Sequence, residues 1–236
     1  MALVPPAGQD SRGGSAPDPD GSGTGGSPER LDRPFGDPLV QRIFPWVATG
    51  VQWGLGRTLR ALEELGDPHL RYPSIHVGGT NGKGSVASTV DTVLREHGLR
   101  SVLYTSPHLC SFRERFLVEG LPVDEGTLLE AADEVRGLVE RHSLTFFEAA
   151  TVLGFHLFAQ EGADVAVVEV GLGGRLDATN VLTPVCAAIT NVAMDHADFL
   201  GDTLPLIARE KAGIIKPGVP TLTAEQDPGL LDVFRE

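Results

Sequence analysis

Large apolar residues enter this chain late. Residues 5–34 are mostly Gly, Ser, Pro and Asp, a composition that cannot offset its own ordering entropy, so residues 1–36 read as a disordered tail. Over residues 51–65 the apolar positions return with a helical rhythm. Leu55, Leu59, Leu62 and Leu65 recur at three- and four-residue spacing before Gly66, which predicts one amphipathic helix stopped by glycine.

Beyond that helix, short β-rich runs alternate with helical stretches. The pattern predicts strands at residues 74–77 and 101–104, and again at 164–170 and 185–192, the latter two apolar and β-branched like strands buried on both faces. Helices are predicted over 85–97, closed by Gly98, and over 125–141 and 147–160, with a last strand at 219–222. Strands alternating with helices of this length imply a mostly parallel sheet with right-handed crossovers. The expected fold is therefore an α/β, P-loop-type, three-layer domain in residues 37–236, incomplete at its C-terminus. No internal repeat is visible.

Composition narrows the picture. With 236 residues and 41% hydrophobic content, one α/β core of ordinary size can form. A formal charge of −13 disfavours general attraction to nucleic acid or to an anionic membrane, so any bound phosphate must be held locally. Cys110 and Cys186, far apart, fit neither a zinc site nor a disulfide framework. The first ten residues lack a basic region followed by an apolar run, and the longest apolar stretch, near residues 149–159, is too short to span a bilayer. A soluble, cytoplasmic protein is expected.

The strongest chemical signal is Gly79-Thr80-Asn81-Gly82-Lys83-Gly84-Ser85, after a predicted strand and at the head of a predicted helix. Glycines let the backbone curl so that successive N–H groups face one point, and the helix adds its positive end. Lys83 would reach the outer phosphates of a nucleotide, and Ser85 could touch a magnesium ion. Gly84 stands where the usual phosphate-loop pattern has a hydroxyl, which argues against a kinase or GTPase. The plainer alternative is a glycine-rich turn capping a helix.

In an open α/β sheet, ligands sit beyond the carboxyl ends of the strands. Three polar sites fall there: Ser106 in Thr105-Ser106-Pro107-His108, Glu169 inside an apolar run, and Asp195-His196. A carboxylate among valines is costly unless paired or metal-bound, and Ser106, Glu169, His196 and phosphates could together hold magnesium. The alternatives are a Glu169–Arg175 pair and a satisfied loop histidine. Lys211, by default, is a solvated lysine in a helix's last turn.

The blocks GTNGKGS, YTSPHLCSFRER, LTFFEAAT, EVGLGGRLDATN, MDHADFLGDTL and REKAGIIKPG, in this order, resemble the signatures of dihydrofolate synthase / folylpolyglutamate synthase, within the Mur ligase group. The resemblance covers residues 51–219. It implies an ATP-dependent ligase that adds L-glutamate to dihydropteroate or a folate through an acyl phosphate. It also implies that Gly79 through Ser85 (Gly79, Thr80, Asn81, Gly82, Lys83, Gly84, Ser85) bind ATP, and that Ser106, Glu169 and His196 bind Mg2+. Thr145, Phe146, Phe147, Glu148, Leu176, Asp177 and Ala178 are implied to contact the pterin, and Lys83, His196 and a carbamylated Lys211 to serve catalysis. The family's enzymes are longer and act as monomers on small molecules, so the C-terminal glutamate-ligase domain is expected to be missing here and the isolated chain to turn over little. Two rivals are a Mur-type ligase for peptidoglycan precursors and a truncated or regulatory nucleotide-binding fragment without ligase activity.

Overall fold

The apolar runs do become strands buried from both sides. In the computed structural model, which describes residues 37–45, 47, 50 and 52–236, the strands are β1 (Ser74–Gly78), β2 (Ser101–Tyr104), β3 (Phe116–Val118), β4 (Leu121–Pro122), β5 (Val165–Glu169), β6 (Cys186–Ile189) and β7 (Thr221–Thr223). They form one sheet in the order β4-β3-β2-β5-β1-β6-β7. β2, β5, β1, β6 and β7 run parallel, whereas β3 pairs antiparallel with β2, and β4 with β3. That antiparallel edge falls in a stretch for which the pattern predicts no element: strands this short carry too few alternations to register. The predicted tail and Val51 lie outside the described residues.

The helices are α1 (Pro38–Ile43), α2 (Gly56–Glu64), α3 (Lys83–Glu96), α4 (Glu125–Arg141), α5 (Phe146–Gln160), α6 (Ala197–Leu200), α7 (Leu204–Ala212) and α8 (Pro228–Arg235). Side chains alternate across a strand, and the core follows that alternation. Val102, Tyr104, Ala166 and Val168 join the large cluster made with α2, α4 and α5, while Leu103 and Val167 join a second cluster with Val77 and Ala87 of α3. Helices therefore cover both faces of the sheet.

Some boundaries differ from the sequence reading. α2 begins at Gly56, not at residue 51, and the leucine stripe is not its buried face: Thr58, Ala61 and Leu62 are buried, whereas Leu59 is exposed. Leu59 sits one residue, or about 100°, off the line through 58, 61, 62 and 65. α3 begins at Lys83, two residues earlier than predicted, so the loop lysine is the first residue of the helix. Among the described residues no helix is long and apolar enough to cross a membrane.

Candidate active site

β1 stops at Gly78, and Gly79 turns the chain with φ +134°. A Cβ placed there would lie 1.9 Å from Thr190 Oγ1, so no other residue fits without moving the backbone. The loop is then fastened to the segment after β6. Thr80 N–H donates to Asn191 O at 2.9 Å, Ala193 N–H donates to Thr80 Oγ1 at 3.0 Å, and the Thr190 hydroxyl donates to Asn81 O at 2.7 Å. Gly82, with φ +78°, opens α3 without a side-chain cap, which leaves the first-turn N–H groups and the helix dipole directed at one point. Lys83 Nζ folds back to donate to Thr80 O at 3.1 Å.

Beside this loop lies Glu169, at the carboxyl end of β5 and 5% exposed. A Cβ at Gly84 would sit 3.6 Å from its Oε2, an ordinary contact distance, so the glycine that departs from the usual phosphate-loop pattern lies directly beside this carboxylate. Its Oε2 accepts the Ser106 N–H at 3.2 Å. Burial pushes its pKa up, against pulls downward from that N–H, Lys83 and Arg115. Arg175 is not its partner: the guanidinium pairs with Glu210 at 2.6 Å.

The proposed metal set is brought together in part. Ser106 and Glu169 meet, whereas His196 takes a left-handed backbone (φ +47°) on the exposed turn before α6, 3.5 Å from Asp195. Among the described residues, no group of three His, Cys, Asp or Glu is placed to hold a metal ion. A metal held here would take much of its oxygen shell from phosphates and water, as magnesium commonly does.

Lys211 overturns its default reading. It is 2% exposed, and burial lowers its pKa to about 8, aided by Lys83 and opposed by Asp195. Its helix is locked to the loop after β5 by direct backbone contact. Arg175 N–H donates to Glu210 O at 2.7 Å, and a Cβ at Gly174 would lie 2.7 Å from that same oxygen. A Cβ at Gly213 would lie 2.3 Å from Arg175 Cα.

On the other side of Ser106 opens a cavity of about 300 Å³. Thr145, Phe147, Glu148, Leu176, Asp177 and Ala178 line it. Thr145 caps α5 and Glu148 closes the capping box, accepting the Thr145 N–H at 2.8 Å. The same carboxylate accepts Arg57 Nη2 at 2.8 Å and Arg57 Nε at 3.1 Å. A Cβ at Gly171 would lie 2.3 Å from the Phe147 ring, so any other residue there must displace that ring. Asp177 Oδ1 accepts the Thr179 hydroxyl at 2.5 Å and Oδ2 the Leu172 N–H at 2.8 Å; burial raises its pKa against these bonds. Phe146 does not line the cavity. Its ring lies in the core, 5.8 Å from Phe112 and 5.3 Å beneath the Arg115 guanidinium.

Residues 77–223 match the Mur ligase middle domain. The chain belongs to this family. Among the similar proteins, the folylpolyglutamate synthase of Lacticaseibacillus casei is 45% identical over 179 residues, covering 73% of this chain and 42% of that protein. The dihydrofolate synthase/folylpolyglutamate synthase of Bacillus subtilis (strain 168) is 39% identical over 193 residues, covering 79% and 45%. The crystal structure of folylpolyglutamate synthase from Thermotoga maritima superposes with a TM-score of 0.76 at 40% identity, covering 84% of this chain and 46% of that one. An FPGS–AMPPCP–folate complex superposes with a TM-score of 0.78, covering 84% and 50%. The chain thus spans less than half the length of these two curated relatives.

Some residues in and around the cavity carry little or no sequence signal. Trp53 precedes α2, and Arg115 ends a one-turn helix; both line the cavity. Arg115 is 4% exposed, and its Nε donates to His108 Nδ1 at 2.8 Å. Its place at the end of the YTSPHLCSFRER block was the one hint available. Arg57 lies ninety-one positions before its partner Glu148, and nothing local announces the pair.

Proposed function

We propose that this domain runs the activating half of an ATP-dependent amide ligation, in which a pterin-bearing carboxylate is phosphorylated and then joined to L-glutamate. One observation carries the reading. Ser106 gives its N–H to Glu169 beside the phosphate loop and also lines the cavity, so the nucleotide end and the acceptor end share a wall. The similarity to a complex holding both AMPPCP and folate supports two ligands in that arrangement. The TFFE and LDAT blocks favour a pterin over a cell-wall nucleotide.

In the reaction, an acceptor carboxylate oxygen attacks the γ-phosphorus in line, and the bond to the bridging oxygen breaks, releasing ADP. The glutamate amine then attacks the acyl carbon, the carbon–oxygen bond to phosphate breaks, and the amine proton is lost with phosphate. No enzyme nucleophile is needed; positioning and charge neutralisation lower the barrier. The loop from Gly79 to Ser85 holds the phosphates, and Lys83 swings from Thr80 O to the oxygens that gain charge. Ser106, Glu169 and His196 would hold magnesium, whose contribution is to neutralise the polyphosphate. A buried carboxylate raised in pKa beside the loop suits a cation.

Lys211 fits a carbamate. With its pKa near 8, a share of the amine is neutral near neutral pH and can attack carbon dioxide, forming an N–C bond, losing a proton and becoming an anion. The buried ammonium is thereby replaced by a group that complements Lys83. The acceptor cavity is the work of Thr145, Phe147, Glu148, Leu176, Asp177 and Ala178, with Phe146 supporting them from the core.

Lys83→Ala tests the reading. AMPPCP affinity, measured by calorimetry, should fall about a hundredfold, while pteroate still binds. Unchanged AMPPCP affinity would overturn the nucleotide assignment, and preference for a UDP-sugar over pteroate would overturn the acceptor class.

A further inference from the structure

His76 sits in the middle of β1, fully buried, and does not line the cavity. Yet it is connected to the cavity. Its Nε2 lies 2.9 Å from Thr179 Oγ1, and Thr179 Oγ1 lies 2.5 Å from Asp177 Oδ1. A file of three buried polar groups runs from the central strand to the cavity wall.

Donor counting fixes where the protons lie. The Thr179 hydroxyl has one proton to give. If it points at an ionised Asp177, His76 must carry its proton on Nε2 and donate it to Thr179, and Nδ1 is left a bare acceptor. The reverse order needs a protonated Asp177 donating to Thr179, Thr179 donating to Nε2, and a buried Nδ1–H. Nδ1 has no hydrogen-bond partner, and an orphaned buried N–H is costlier than an unused lone pair. The first arrangement wins. Burial pushes the Asp177 pKa up, and the Thr179 and Leu172 N–H groups, at 3.0 and 2.8 Å from its oxygens, pull toward the carboxylate against it. Burial, with Lys216 adding to it, drives the His76 pKa down to about 3, so the imidazole stays neutral.

We infer that His76 is a positioning residue for acceptor recognition: by giving Nε2–H to Thr179 it commits the Thr179 proton to Asp177 and keeps Asp177 an ionised acceptor on the cavity wall. The inference rests on the acceptor reading above and names a residue outside the cavity that determines it.

Calorimetry of pteroate binding to the 236-residue chain provides the test. His76→Leu and Thr179→Val should each weaken pteroate about tenfold, and the double variant should be no weaker than the weaker single. His76→Gln, whose amide nitrogen reaches the position of Nε2, should bind within about twofold of the unaltered chain. AMPPCP affinity should not move in any of them. A folded His76→Leu with unaltered pteroate affinity, a glutamine variant as weak as the leucine one, or additive single effects would each overturn the inference. If His76→Leu does not fold, Thr179→Val, nearly isosteric, decides: unaltered affinity there overturns it. Should the unaltered chain bind AMPPCP but not pteroate, the acceptor reading falls and this inference with it; pteroate binding indifferent to every variant removes the inference alone.

Discussion

The two ends of the candidate site are built in opposite ways. The phosphate loop is one uninterrupted run, Gly79 to Ser85, shaped by two left-handed glycines and stapled to a single neighbouring segment. The cavity draws Trp53, Ser106, Arg115, Phe147, Leu172 and Asp177 from separate stretches of the chain, and several of its polar walls are held by partners far away in sequence. A local motif concentrates its constraints in backbone conformation. An assembled cavity spreads them over ion pairs and packing, where any one loss is smaller and harder to foresee.

That contrast can be broken by experiment. Gly79→Ala should have the largest effect, because the new Cβ meets Thr190 Oγ1 at 1.9 Å in a φ region that side chains avoid. We expect a loss of about 4 kcal/mol in stability and no measurable AMPPCP binding, read by chemical denaturation and calorimetry. A variant with normal stability and nucleotide affinity would show that the loop is less constrained than its geometry requires. Arg57→Met should come second. It leaves Glu148, 4% exposed, without its guanidinium, at a cost of about 2 kcal/mol; pteroate should weaken while AMPPCP does not. If both ligands weaken equally, the two ends are not separable. Arg175→Ala should do least, below about 1 kcal/mol, since the arginine side of its pair with Glu210 is solvated (57% exposed, against 19% for Glu210). A large loss there would mean that the loop after β5 is held by this ion pair rather than by backbone contact.

Much of the fold was legible because its parts are long or strongly patterned. The strand at 101–104 and the helix at 125–141 coincide with β2 and α4, the latter capped by Asp124. The loop was legible because glycine spacing is itself the mechanism. The antiparallel edge, α1 and α8 escaped, being too short or too ordinary in composition to stand out. Leu59 misled because a run of leucines looks like a stripe, while the buried face of α2 is set by Thr58 and Ala61 as well. At the site, Glu169 was readable as a costly carboxylate among valines. Phe146 is implied to contact the pterin together with its neighbour Phe147, but adjacent residues on a helix point about 100° apart, and only Phe147 lines the cavity. His76 gave no signal at all, for its role exists only through a threonine one hundred and three positions later.

The interlocked glycines at 174 and 213 carry one more implication. Where side chains separate two segments, rotamer changes can absorb a shift; here Arg175 and α7 meet main chain to main chain, and such a joint has no slack. The strip that floors the cavity and the helix that bears Lys211 must therefore travel as a single lever. A designer wishing to uncouple the two segments would have to lengthen the turn rather than mutate a contact.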